Sequence, residues 1–317
     1  MRVCTITCSN ADNHGARLQT FALAKYLMDQ GNEVRVIDYR PSYLDPSNKV
    51  LYWPGLSVKE WVKLFLRFAQ RVRSKKRHYS FATFSKKYIP LTDRIYRSVD
   101  ELRNDPPEAD LYMAGSDQIW NTSFPNGTDP AFYLDFGRDG IRRESFAASF
   151  ATKTLCAGSE DFVRMNLGRF NKITVRESFG ITIVESLGYR AELQDDPVFL
   201  LSAEQWNHIA DGTGEGERYV LVYDFFSDKE IKKKARETAK ECNVSIYAIC
   251  PFRQPYADKN FVTAGPESFV SLVKNASLIV TNSYHAIAFS LIYNRPFAFV
   301  PRPDGLNDRI YDLLSRR

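Results

Sequence analysis

Short β-rich runs alternate with helical patterns along almost the whole chain, and this leaves few architectures open: parallel strands joined by helical crossovers, with helices covering the sheet faces. "RVCTITC" reads as a first strand. After the polar break "SNADNHG", the segment "ARLQTFALAKYLMDQG" reads as a helix with Leu18, Phe21, Ala22 and Leu27 on one face and Gly31 at its end, and "EVRVIDY" reads as the next strand. Further strands are expected at "ADLYMAG", "SFAASF", "KITVRES" and "AELQDDP". The βαβ opening lacks a GxGxxG fingerprint and gives no ground for a bound dinucleotide.

At 317 residues the chain is long for a single core, since domains usually hold roughly 100 to 200 residues. The glycine-rich break "DGTGEGE" is followed by a second run of the same kind: strand "RYVLVYD", helix "DKEIKKKARETAKEC", strand "VSIYAIC", helix "PESFVSLVKNA" opened by Pro266, strand "SLIVTNS", helix "HAIAFSLIYN" and strand "PFAFV". The expected fold class is α/β, with two Rossmann-like domains, 1–200 and 201–317, facing across a cleft. The second is expected to be cut short, because "NDRIYDLLSRR" reads as a helix still in progress at Arg317.

Composition narrows the function classes. With 44% hydrophobic and 26% charged residues the chain is an ordinary globular one, and no run approaches the roughly 20 apolar residues that span a bilayer, so a cytoplasmic protein is expected. Cys4, Cys8, Cys156, Cys242 and Cys250 are odd in number and lack CxxC spacing, which suits reduced thiols. Four histidines without paired spacing suggest no metal site. The net charge of +5 is uneven: Lys59, Lys63, Arg67, Arg71, Arg73, Lys75, Lys76 and Arg77 share one stretch with Trp61, Leu64, Phe65, Phe68 and Val72 at helical spacing. This basic amphipathic helix, 59–77, either packs on its own domain or contacts an anionic membrane or polyanionic substrate. No nucleic-acid motif accompanies it, and nucleic acid is not expected as a partner.

In open parallel sheets ligands bind beyond the carboxyl ends of strands, where helix N-termini offer unpaired N–H groups. Asn13, His14 and Gly15 fall at such a position, and Ser116, Asp117, Gln118, Ser149, Arg176 and Glu177 are expected on the same rim. In the second half, His285 follows a buried-looking strand and opens a helix, beside Asn282 and Ser283. A histidine there meets free backbone N–H groups that attract anions.

Taken in order, "NHGARLQTFALAKYL" with "GNEVRVIDYRP", "AGSDQIWN", "FAASF", "VRESFGITIVESLG" with "DDPVFLL", and "TNSYHAIAFSLIYNRPF" with "NDRI" resemble the pattern of the polysaccharide pyruvyl transferase family over nearly the whole chain. The resemblance implies a GT-B-like pair of domains and transfer of an enolpyruvyl unit from phosphoenolpyruvate to a sugar of a surface polysaccharide or its precursor, giving a pyruvate ketal and phosphate. It implies no cofactor, since phosphoenolpyruvate is a co-substrate. The acceptor is a sugar or lipid-linked oligosaccharide, which suits a cytoplasmic enzyme that is peripheral on the inner membrane face. In two places where the family often has Gly, this chain has Ala286 and Ala151, and each methyl is expected to crowd a ligand approaching the backbone.

Such a reaction needs an acid/base and strong anion ligands. His285 is the expected acid/base because imidazole can give and take a proton within one cycle. Asp117 is the second catalytic candidate. Arg176 in "VRES" is the expected ligand for the donor's phosphate or carboxylate, with Asn282, Ser283 and Arg309 beside it. Asn13, His14, Ser116, Gln118 and Trp120 are expected on the acceptor side, Trp120 as a flat face for a sugar ring. A nucleotide-sugar glycosyltransferase and a non-catalytic glycan-binding protein fit the same architecture.

Overall fold

A computed structural model describes residues 1–44, 58–225, 228–302 and 307–317, with the side chains of the long second helix from Val72 onward. The first half runs β1 (Arg2–Ile6), α1 (His14–Asp29), β2 (Glu33–Tyr39), α2 (Val58–Tyr88), β3 (Leu91–Tyr96), α3 (Val99–Asn104), β4 (Leu111–Asp117), β5 (Arg142–Ala148), α4 (Glu160–Leu167), β6 (Thr174–Val175), α5 (Ser178–Ser186) and β7 (Glu192–Leu193). The second half runs α6 (Ala203–Asn207), β8 (Tyr219–Tyr223), α7 (Lys229–Cys242), β9 (Ser245–Ile249), β10 (Lys259–Asn260), α8 (Pro266–Asn275), β11 (Leu278–Thr281), α9 (Tyr284–Ile292), β12 (Phe297–Phe299) and α10 (Asp308–Ser315). The strands form two parallel sheets, in the orders β3-β2-β1-β4-β5-β6-β7 and β10-β9-β8-β11-β12. This is the GT-B-like α/β class expected.

Local chemistry explains the elements. The Asn13 side chain caps α1 by accepting the Ala16 N–H at 3.2 Å, and Asp228 caps α7 by accepting those of Glu230 and Ile231 at 2.8 and 3.3 Å. Helix α7 buries Ile231, Ala235, Thr238 and Ala239, one face at helical spacing, and leaves its lysines to solvent. Strand β8, "YVLVY", is buried along its whole length, as a central parallel strand covered on both faces must be. The expected strands "KITVRES" and "AELQDDP" shorten to two residues each. In the first, Glu177 already stands at the N-cap of α5. Strand β3 is the polar edge "LTDRIY", which alternation did not reveal.

The two sheets share packing. One apolar core joins α1 (Leu18, Phe21, Ala22), the end of α2 (Phe84), and α8 and α9 (Phe269, Phe289). Trp206 of α6 fills the seam, 5.7 Å from the Phe21 ring and 4.8 Å from that of Phe289. Helix α10 returns to the first half, where Arg316 pairs with Asp195 at 2.8 Å and donates to the Arg176 carbonyl at 3.1 Å.

The basic stretch 59–77 lies within α2. Of its expected apolar stripe, the Trp61, Leu64, Phe65 and Phe68 side chains lie outside the described residues, and Val72 is exposed. Arg77, expected on the solvated basic face, is only 7% exposed: it lies over the Phe81 ring and donates to the Asp12 carbonyl at 3.1 Å and that of Val262 at 3.5 Å, bridging the halves. No described helix is long and apolar enough to cross a membrane. All five cysteines are free thiols.

Ala286 and Ala151, the two methyls expected to crowd a ligand, are both buried and neither is among the residues that line the cleft described below. Ala151 instead carries a positive φ of 63°, a conformation that costs an L-residue about 1–2 kcal/mol. Glycine removes that cost but returns roughly 0.5–1 kcal/mol of entropy to the unfolded chain. Ala151→Gly is therefore expected to stabilise the fold by about 0.5 kcal/mol, read as a higher urea midpoint at an unchanged m-value.

Candidate functional site

In both sheets the strand order reverses beside a central strand, between β1 and β4 in the first and between β8 and β11 in the second. Crevices form beyond the carboxyl ends of strands at such points. A cleft of about 290 Å³ lies where the two meet. It is lined by Asn13 after β1, Asp117 and Gln118 at the end of β4, Phe225 after β8, the run Asn282 to His285 after β11, and Arg302 and Arg309. A volume near the lower end of the roughly 300–1,000 Å³ usual for ligand sites suits a small, polar ligand.

His285 occupies the first turn of α9, whose N-cap Ser283 makes no side-chain cap, so its leading N–H groups are left for a ligand. The imidazole is 7% exposed, with Nε2 3.5 Å from Asp196 Oδ2, too long for a formed hydrogen bond. It packs against Gly15 in the first turn of α1: a Cβ there would stand 2.0 Å from His285 Nδ1, so only glycine fits.

Behind the ring is a buried charge cluster. Arg176 and Asp196 are both fully buried and pair at 2.6 Å, while Arg176 Nε meets Glu177 at 3.1 Å and its Nη1 lies 3.9 Å from Asp117. Burial works against ionised Asp196, but His285, Arg176 and the Val198 N–H outweigh it and hold the carboxyl well below the usual range. Burial likewise opposes the Arg176 cation, and Glu177 and Asp196 reverse this, so it stays charged. The Tyr284 ring contacts two guanidinium groups, Arg176 at 4.6 Å and Arg309 at 5.7 Å. Burial, then the Arg176 charge, lowers the Arg309 pKa against the pull of Asp117 and Glu177. Gln118, its amide oxygen turned to Arg309, accepts at 2.6 Å. Around the cleft, Asn282 Nδ2, Tyr284 Oη, Arg176 Nη2 and His285 Nε2 are buried without a hydrogen-bond partner, a concentration that folding alone does not explain. Among the described residues, no group of three or more His, Cys, Asp or Glu is placed to hold a metal ion.

The structure brings together seven of the expected residues: Asn13, Asp117, Gln118, Asn282, Ser283, His285 and Arg309. Asp117 sits at a φ of 71°, an unusual conformation of the kind that collects at functional sites. Six expectations are corrected, and two of them fall together: Ser149 and Glu177, expected on the rim, are fully buried, the Ser149 hydroxyl donating to the Glu177 carboxylate at 2.6 Å. Trp120 offers no face to a sugar: it is fully buried, stacked on Tyr133 at 5.6 Å, with Nε1–H donating to the Phe132 carbonyl at 3.1 Å. His14 is fully buried in the seam between the halves, its Nδ1 2.9 Å from Tyr223 Oη and its Nε2 3.0 Å from the Ala264 carbonyl; burial, with the Arg77 charge, keeps it neutral. Ser116 is buried too, its hydroxyl donating to the Ala147 carbonyl at 2.7 Å. Arg176 lies behind the cleft wall, held by carboxylates. Sequence reasoning missed Phe225, Tyr284, Arg302 and Asp196. Asp196 had a signal in "DDPVFLL", and Tyr284 stood between two chosen residues.

A family model described as polysaccharide pyruvyl transferase matches residues 13–304. A search of curated protein sequences finds no match. Among solved structures, a Listeria monocytogenes protein assigned as a UDP-N-acetylglucosamine 2-epimerase superposes with a TM-score of 0.51 at 10% identity, covering 99% of this chain and 88% of the other. The UDP-GlcNAc 2-epimerase from Methanocaldococcus jannaschii gives 0.48 at 12% identity, covering 99% and 92%, and the E. coli heptosyltransferase WaaC with ADP-2-deoxy-2-fluoro heptose gives 0.42 at 11%, covering 100% of both. At such identities the likeness speaks to fold alone.

Proposed function

This chain belongs to the polysaccharide pyruvyl transferase family, and from that membership we propose that it moves the pyruvyl group of phosphoenolpyruvate onto a sugar of a surface polysaccharide or its precursor, forming a pyruvate ketal and releasing phosphate. The observation that carries this reading for the molecule itself is the cleft, which sets His285 beside Arg309, Arg302 and the open N-terminus of α9. A small dianion is the ligand such a constellation favours. Its charge would also relieve the pressure that burial and Arg176 place on the Arg309 cation.

The chemistry follows from the donor. A sugar oxygen bonds to C2 of the enol phosphate while the C2=C3 electron pair takes a proton at C3. The C2–O bond then breaks toward phosphate, and a second hydroxyl closes the ketal as its proton passes to the departing phosphate. His285 is the proton carrier at C3. Arg309, Asn282, the Ser283 hydroxyl and the leading N–H groups of α9, at Tyr284 and His285, hold the donor's charged groups. Asp117, Gln118 and Asn13, on the opposite wall, hold the acceptor hydroxyls. The enzyme needs no cofactor in this scheme, and the acceptor is a sugar or a lipid-linked oligosaccharide.

Calorimetry with phosphoenolpyruvate tests the donor. Wild type is expected to bind saturably, and Arg309→Ala about 10- to 100-fold more weakly, the loss that one charged hydrogen-bonding partner carries. Uridine diphosphate is expected to give no response. A response to the nucleotide together with silence toward phosphoenolpyruvate would replace this reading with a nucleotide-sugar transferase.

A further inference from the structure

The ring of His285 is gripped from two sides by residues that belong to neither substrate wall. Nε2 is its buried nitrogen and points to Asp196 Oδ2 at 3.5 Å. Asp196 cannot move to suit the ring, because Oδ2 is also tied to Arg176 Nη1 at 2.6 Å and Oδ1 accepts the Val198 N–H at 3.1 Å, at the start of the turn Pro197–Leu200. On the other side is Gly15, where any side chain would collide with Nδ1, Cγ or Cε1. Nε2 is the ring nitrogen buried without a partner, which leaves Nδ1, on the Gly15 side of the ring, as the nitrogen for the cleft.

We propose that Asp196 is the positioning residue for His285: its carboxylate takes the Nε2–H, fixing the neutral ring as the tautomer whose Nδ1 lone pair faces the cleft, so that Nδ1 handles the proton of the transfer. The proton step rests on the pyruvyl-transfer reading; the tautomer does not. A carboxylate behind a histidine sets the tautomer and stabilises the imidazolium without itself accepting the proton. In the addition step the imidazolium Nδ1–H is given to C3 as the C2=C3 pair takes it. The attacking hydroxyl gives its proton to Nδ1 as the C2–O bond forms, and the ring ends as it began. Throughout, Asp196 keeps Nε2–H, and Arg176 keeps Asp196 ionised. The 3.5 Å contact shortens as the ring gains charge, in line with the long catalytic hydrogen bonds common before substrate binds.

The test is nitrogen NMR on protein labelled at histidine, which is tractable because the chain has only four, combined with steady-state kinetics. In wild type, once the imidazole is neutral, the His285 signals are expected to show Nε2 protonated and Nδ1 bare. In Asp196→Asn the amide can donate to Nε2 and favours the other tautomer. There kcat is expected to fall at least about 100-fold, with the phosphoenolpyruvate KM held within about threefold, because a tautomer change strikes chemistry and not donor binding. Gly15→Ala leaves the ion pairs whole and pushes the ring aside, and should lose kcat on the same order, about 100-fold, as misplacement of a catalytic group does. A wild-type ring protonated at Nδ1, or a folded Asp196→Asn with kcat within about fivefold of wild type, overturns the assignment. Should Asp196→Asn not fold, the wild-type tautomer decides. Absence of phosphoenolpyruvate turnover in wild type would instead count against the pyruvyl reading and leave the tautomer to the NMR result.

Discussion

His285→Gln is expected to fold as wild type does and to lose between about 10² and 10⁴ of its turnover, the range that a positioned acid/base contributes. The fold should survive because the ring's contact with Asp196, Nε2 to Oδ2, is long at 3.5 Å and glutamine is close to the ring in size, so the stability change should stay below about 1.5 kcal/mol. Binding of phosphoenolpyruvate should persist, since Arg309, Asn282 and the α9 N-terminus are untouched. Product formation measured as phosphate release, with circular dichroism as the folding control, checks all of this. Turnover within tenfold of wild type would move the proton to another group, and Asp117 across the cleft is the next candidate.

Arg176→Met should unfold the protein far more readily, by about 3–5 kcal/mol, because it keeps the volume but strands two fully buried carboxylates, Asp196 and Glu177, without their cation. Against a total stability of roughly 5–15 kcal/mol this is a large share. The pH dependence has a definite sign. Asp196 is held below the usual range in the folded protein, so its stabilisation is complete above the unfolded value near 4 and is lost only as pH falls further toward the folded value. The wild-type contribution of Asp196 is therefore full at neutral pH and fades below about pH 4, and the gap to the variant is widest at neutral pH and closes as pH falls. Urea denaturation across that range is the measurement, and a gap under about 1 kcal/mol at neutral pH would mean that the buried pairs are relieved by rearrangement. The substitution is for this reason a poor probe of donor binding, which Arg309→Ala tests without opening the buried cluster.

Much of the site was legible as position. The polar residues that follow β1, β4 and β11 line the cleft because a parallel sheet delivers every strand end to one rim, and sequence order alone says which residues those are. Asn13, Asp117, Gln118, Asn282, Ser283 and His285 all follow from that rule. What failed was orientation. Along a strand and into its loop, neighbouring side chains point opposite ways, so Asp117 faces the cleft while Ser116 turns into the sheet, and Asn13 faces it while His14 enters the seam. Trp120 was misread for a related reason: an aromatic beside a polar motif serves packing and ligand equally well until its neighbours are known. Here Tyr133, Phe150 and Phe170 enclose it.

By itself the sequence determined the α/β class, the two runs of strands and helices and the rim on which a ligand would sit, since hydrophobic period, caps and glycine breaks are properties of short segments. Only the tertiary structure decided that Gly15, Asp196 and His285, far apart along the chain, share one contact, and that Arg176 anchors a buried carboxylate from behind the cleft wall. Burial and partnership depend on what the rest of the chain brings alongside, and no local pattern encodes that.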